Sequence, residues 1–164
     1  MTHAAGGLET NSHAADFGFD VLIVEDDVVQ AEELSEFLSR SGYDVQTASG
    51  GSEGLHRAAL RKPRIALLDY NLPDLDGATV AARIRSVSPG TTVVLMSGRI
   101  DAVPEATLGK LGLSAFMSKP LVLGEVRRLV ERTLRAMVRT GAPLTEPSKR
   151  VTNRLFLDRI LGRA

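Results

Sequence analysis

Three short apolar runs constrain this chain more than any other feature: Val21-Leu22-Ile23-Val24, residues 65–68 and residues 92–96. Apolar side chains at both odd and even positions leave a strand no face for water. Each run therefore reads as a strand buried on both sides, as in a parallel sheet covered by helices. Between the runs, apolar residues recur at helical spacing. Val28, Ala31, Leu34, Phe37 and Leu38 define a helix over residues 28–39, which Gly42 stops, and Asp27 stands where a cap belongs. Leu55, Ala58 and Ala59 face inward from a helix over 50–60, and Val80, Ala81 and Ile84 from one over 77–87. A weaker helix is expected over 101–111, with Pro104 in its first turn and Gly109 and Gly112 loosening its end. Residues 121–138 read as a long amphipathic helix. Val122, Val126, Leu129, Val130, Leu134 and Met137 form its apolar stripe, with Arg127, Arg128, Glu131, Arg132 and Arg135 outside. Short strands over 45–48 and 114–117 complete five strands alternating with five helices. That order predicts an α/β domain with a parallel sheet and helices on both faces.

The domain is expected over residues 19–139. Residues 1–18 are rich in Ala, Gly, Ser, Thr and His without a hydrophobic period, and read as a disordered leader. Residues 140–164 read as a linker followed by an amphipathic C-terminal segment, with Val151, Leu155, Ile160 and Leu161 at roughly helical spacing. That segment is either a docking helix or a solvated basic tail. Twenty basic residues balance twenty acidic ones, so no overall field draws the chain to nucleic acid or to an anionic membrane. The lack of cysteine excludes disulfides and thiolate metal sites. No apolar run approaches the roughly 20 residues that span a bilayer. The expectation is a cytoplasmic protein with no nucleic-acid or membrane partner. His3, His13 and His56 have no partner at ligand spacing and read as solvated.

Ligands of an open parallel sheet bind beyond the carboxyl ends of its strands. The residues just past those ends are Glu25 and Asp26, Asp69, Ser97 and Lys119. Taken singly, the acids fit turn residues or helix caps, Ser97 fits a turn hydroxyl and Lys119 a surface charge. Taken together, three carboxylates repel unless a cation joins them, and oxygen ligands without sulfur or imidazole favour Mg²⁺. Mg²⁺ completes its shell readily with phosphate oxygens, so the set suits phosphoryl transfer. Asp69 is then the nucleophile, Lys119 neutralises developing charge and the Ser97 hydroxyl meets a phosphoryl oxygen.

Four fragments in this order resemble the response-regulator receiver domain of two-component signalling: Val24-Glu25-Asp26-Asp27; Leu68-Asp69-Tyr70-Asn71-Leu72-Pro73 with Gly77; Met96-Ser97-Gly98; and Phe116-Met117-Ser118-Lys119-Pro120. The resemblance covers about residues 20–139. It implies a flavodoxin-like, doubly wound five-stranded sheet of order 2-1-3-4-5. It implies Asp69 as phosphoacceptor, Asp26 as direct Mg²⁺ ligand, Glu25 acting through metal-bound water and the Asn71 backbone carbonyl completing the metal shell. Ser97 and Phe116 match a switch pair, Lys119 an ion-pairing lysine, and the bond to Pro120 is expected to be cis.

The expected function is thus a phosphoacceptor module of a two-component system or phosphorelay, supplied by a histidine kinase or a histidine phosphotransfer protein. No DNA-binding or enzymatic domain is read after residue 138. Output is expected through contacts with a protein that the sequence does not name, as a shuttle, a sink or a kinase regulator, with a homodimer one arrangement open to it. Mg²⁺-dependent self-phosphorylation and slow self-dephosphorylation are the only activities expected. The competing readings are a receiver-like scaffold that works without phosphorylation and an aspartyl-nucleophile phosphatase. Against the second, such enzymes need an acid two residues after the nucleophile, where this chain has Asn71.

Overall fold

The computed structural model of the protein describes residues 17–99 and 115–140. The elements run β1 (Phe19–Val24), α1 (Val28–Arg40), β2 (Val45–Ala48), α2 (Gly51–Arg61), β3 (Pro63–Asp69), α3 (Gly77–Val87), β4 (Thr92–Ser97), β5 (Ala115–Ser118) and α4 (Leu123–Thr140). The helix expected over 101–111, most of the leader and the C-terminal segment lie outside the described residues.

All five strands are parallel, in the order β2-β1-β3-β4-β5. This is the flavodoxin-like order that the resemblance implied. The unbroken apolar runs explain why the sheet carries two cores. Leu22, Val24, Ala66, Leu68, Val93 and Leu95 face the layer of α2 and α3, where Ala58, Val80, Ala81 and Ile84 meet them. The alternate residues, Val21, Ile23, Ile65, Leu67, Val94 and Met96, face α1 and α4, against Leu34, Leu38, Val126 and Val130. The register holds the rows together, with Ile23 opposite Leu67 and Leu67 opposite Val94. A one-residue slip would exchange the two cores and turn the acids at the strand ends to the wrong side.

Three apolar positions depart from the expected stripes: Val28, Val122 and Ala59, the last lying just past the buried line of Gly51, Gly54 and Ala58 and exposed beside Leu60. Val28 is 61% exposed and Val122 57% exposed. Val28 is the first residue of α1, where the chain has left β1 and not yet turned back over the sheet. Val122 precedes α4 and follows the cis Lys119–Pro120 bond, so it never joins the helical face. From Ala31 and from Val126 onward the helical spacing holds.

The starts of α1 and α3 are fixed by side chains close in sequence. Asp27 caps α1 by accepting the Gln30 amide at 3.1 Å, and Asp76 caps α3 by accepting that of Thr79 at 2.8 Å. At α2 the cap residue is Gly50, which has no side chain to offer. Gly42, with φ of +94°, follows the end of α1 in the left-handed conformation that suits glycine.

Candidate functional site

The carboxyl ends of β1, β3, β4 and β5 converge through their register. Val24 pairs with Leu68, so Glu25 and Asp69 are the next residues on adjacent strands. Met117 shares the α1-side core with Ile23 and Leu67, and strand alternation carries that face on to Lys119, Glu25 and Asp69. Backbone bonds lock the ends together: the Tyr70 amide donates to the Met96 carbonyl at 2.8 Å and the Lys119 amide to the Ser97 carbonyl at 2.9 Å.

Here the Lys119 ammonium lies between two buried carboxylates, donating to Glu25 Oε2 at 2.5 Å and to Asp69 Oδ2 at 2.9 Å. Glu25 is 4% exposed and Asp69 5%. Burial holds the Glu25 carboxyl above its ordinary range and the charge of Asp69 adds to this, while the bond to Lys119 offsets only part. Burial works against the charge of Lys119 as well. Its bonds to the two acids outweigh that cost, so its pKa is raised and it stays protonated.

Asp26 supplies a third, exposed carboxylate. One oxygen each from Glu25, Asp26 and Asp69 lie within 4.8 Å of one another. One ammonium facing three carboxylates leaves negative charge uncompensated, and the donors are all hard oxygens. The residues therefore fit Mg²⁺, which binds through one or two carboxylates and keeps several waters.

The segment between β3 and α3 forms the wall of the site. The Asn71 amide donates to Asp69 Oδ1 at 3.1 Å, and Asn71 bridges Asp76 across the turn. An open cleft of about 310 Å³ lies between this segment and Asp26. Gly77 lets α3 start against the end of β3, since a Cβ there would stand 2.5 Å from the Asp69 carbonyl oxygen.

Ser97 and Phe116 occupy the other face. Ser97 is fully buried, and its hydroxyl donates to the Arg99 carbonyl at 3.2 Å while accepting the Arg99 amide at 3.1 Å. Phe116 pairs with Leu95 and packs, partly buried, on the core toward α2 and α3. The serine hydroxyl is thus engaged with its own chain.

Asp74 stands in the wall segment, and nothing in the local sequence pattern assigns it a task. Its carboxylate reaches α2, accepting the amides of Gly51 and Ser52, both at 2.8 Å. These two bonds, that of Ser52 first, hold its pKa far below the ordinary carboxylate range. The one sequence signal for this contact is a helix that begins Gly50-Gly51, with no side chain at the cap position.

No helix among the described residues is long and apolar enough to cross a membrane. A model of the response regulator receiver domain matches residues 21–131. The probable transcriptional regulatory protein TcrX of Mycobacterium tuberculosis is 36% identical over 129 residues, covering 76% of this chain and 55% of its own length. The chain thus spans about half the length of the curated relatives it matches. The crystal structure of the receiver domain of NtrX from Brucella abortus superposes with a TM-score of 0.64 at 28% identity, over 71% of this chain and 98% of that one. A CheY-like receiver domain protein from Methanospirillum hungatei JF-1 shares the fold, with a TM-score of 0.68 at 22% identity over 74% of this chain and 97% of that one. The family model covers most of the chain and the site lies where that fold puts its strand ends: the protein belongs to the response regulator receiver domain family.

Proposed function

We propose that the protein is a phosphoacceptor signalling module in which Asp69 takes a phosphoryl group from a histidine kinase or a histidine phosphotransfer protein. The observation that carries this reading is the Lys119 ammonium bonded to both Glu25 and Asp69 beside a third carboxylate, Asp26. Such an arrangement holds the Asp69 carboxylate oriented beside a ready-made cation. In the transfer, an Asp69 carboxylate oxygen attacks phosphorus and forms the acyl phosphate O–P bond. The P–N bond to the donor imidazole breaks, its electron pair returning to nitrogen. Glu25, Asp26, Asp69 and the Asn71 carbonyl would hold Mg²⁺, which when bound supplies charge neutralisation at the phosphoryl oxygens. Lys119 gives up its Asp69 contact to meet the new negative charge.

Ser97 and Phe116 form the switch. The Ser97 hydroxyl exchanges the Arg99 backbone for a phosphoryl oxygen, and Phe116, on the same face of the sheet, repacks with it. Output passes through protein contacts on the surface that this change alters, and the names of the relatives favour control of transcription as the process served.

The test is labelling with a phosphorylated histidine donor in the presence of Mg²⁺. Alkali-labile phosphate is expected on the wild type and lost in Asp69→Asn; undiminished labelling of the variant overturns the assignment.

A further inference from the structure

The wall segment between β3 and α3 is closed at its base and gripped at its tip. At the base, Asn71 bridges Asp76, Asp76 caps α3, and the Asn71 amide donates to Asp69. At the tip, the two Asp74 oxygens each take an amide of the first turn of α2, from residues 23 and 22 positions earlier in the chain. The fit is close: a Cβ at Gly50 would stand 3.2 Å from Asp74 Oδ1. Asp74 also lines the cleft shared with Asp26 and Asn71, so whatever moves it moves the wall of the proposed metal site.

We propose that Asp74 is a positioning residue for cation binding: by capping α2 it fixes the segment whose Asn71 carbonyl completes the metal shell. The inference rests on the metal-site reading of Glu25, Asp26, Asp69 and Asn71. Mg²⁺ demands near-ideal octahedral geometry with oxygens at about 2.0–2.1 Å, so the Asn71 carbonyl is a better ligand when its segment is held at the tip by Asp74 as well as at the base by the bridge to Asp76. A helix held from outside by the metal-site wall also means that α2 and the cation are linked: the amides that fix α2 fix the ligand. The neighbouring Glu53 provides the contrast. It accepts the Ser49 amide at 2.9 Å at the same helix start and pairs with Arg57 one turn along α2, so among the described residues its bonds stabilise the helix and not the wall segment.

The test is titration of the intact protein with Mg²⁺ alone, by calorimetry and by the fluorescence of Tyr70, which lines the same cleft, at a temperature well below unfolding. Asp74→Ala is expected to weaken Mg²⁺ binding about tenfold, in line with other groups that orient metal ligands. Asp74→Asn, which keeps one accepting oxygen, is expected to recover part of that loss, and Glu53→Ala to bind as the wild type does. Equal binding by wild type and Asp74→Ala overturns the proposal and leaves the metal site standing. Equal losses in Asp74→Ala and Asp74→Asn overturn it in favour of a simple charge effect, and an equal loss in Glu53→Ala overturns it in favour of general loosening of α2. If Asp26→Ala binds Mg²⁺ as the wild type does, the metal-site reading falls and the proposal with it.

Discussion

Lys119 carries the electrostatic balance of the site, because it is the cation bonded to two carboxylates that are almost fully buried. Removing it while keeping the length of its stem, as in Lys119→Met, leaves Glu25 and Asp69 facing each other without a counter-charge. Breaking an enclosed pair costs about 3–5 kcal/mol, and the open cleft beside this one admits water, so a loss of about 2–3 kcal/mol is expected at neutral pH without Mg²⁺. The sign of the pH dependence follows from Glu25, whose carboxyl is already held above its ordinary range by burial and by Asp69. Without Lys119 its pKa rises further, and a protonated Glu25 no longer needs a counter-charge. The deficit should therefore narrow as pH falls through that raised value. Urea unfolding of both proteins at pH 7 and pH 5 measures this. Coincident midpoints at pH 7 would show that Lys119 carries no such balance.

Helices follow strands along the chain, and at the junction of β3 with α3 backbone packs directly against backbone. A Cβ on Gly77 would lie 2.5 Å from the Asp69 carbonyl oxygen and 2.7 Å from the Tyr70 Cα, and backbone atoms cannot swing aside as a side-chain tip can. Gly77→Ala is expected to displace the start of α3 and to cost about 1–3 kcal/mol, typical of overpacking. A lowered urea midpoint checks it, and an unchanged one would mean that the junction yields freely. The sequence marks Gly77 within its motif, and much else at this level is legible. Apolar runs on both strand parities can only be buried on both sides, which is why β1, β3 and β4 read so directly, and Asp27 reads as a cap because its partner is three residues away. Glu25, Asp26, Asp69 and Lys119 are legible as a cluster because a parallel sheet delivers all its carboxyl ends to one edge. Periodicity sees the face of a helix but not the point at which it meets the sheet, so Val28 and Val122 read as buried and are exposed. Asp74 is illegible for the opposite reason. Its partners lie in another element, and no local pattern records a contact across more than twenty residues.

The helix caps and the site occupy the same end of the sheet, and this gives the protein a direction in which acid should loosen it. Asp27, Glu53, Asp74 and Asp76 sit at the starts of α1, α2 and α3. Backbone amides lower all four pKa values, those of Gln30, Ser49, Ser52 and Thr79 being the largest influences respectively. A carboxyl whose folded pKa lies below its unfolded one contributes stability that is present above the unfolded value and lost as pH falls toward the folded one. For these acids the loss begins near pH 4, the ordinary carboxylate range. Glu25 acts with the opposite sign, since its raised pKa makes proton uptake favour the folded state. Among the described residues, four lowered acids against one raised one give a net loss in acid, concentrated where the helices leave the strands. The urea midpoint is therefore expected to fall between pH 5 and pH 3.5. The fall should be shallower in the double variant Asp27→Asn, Asp76→Asn, because asparagine retains a capping oxygen but does not titrate. A midpoint that holds or rises over that interval, or a double variant that falls as steeply as the wild type, would show that the acid response resides elsewhere in the chain.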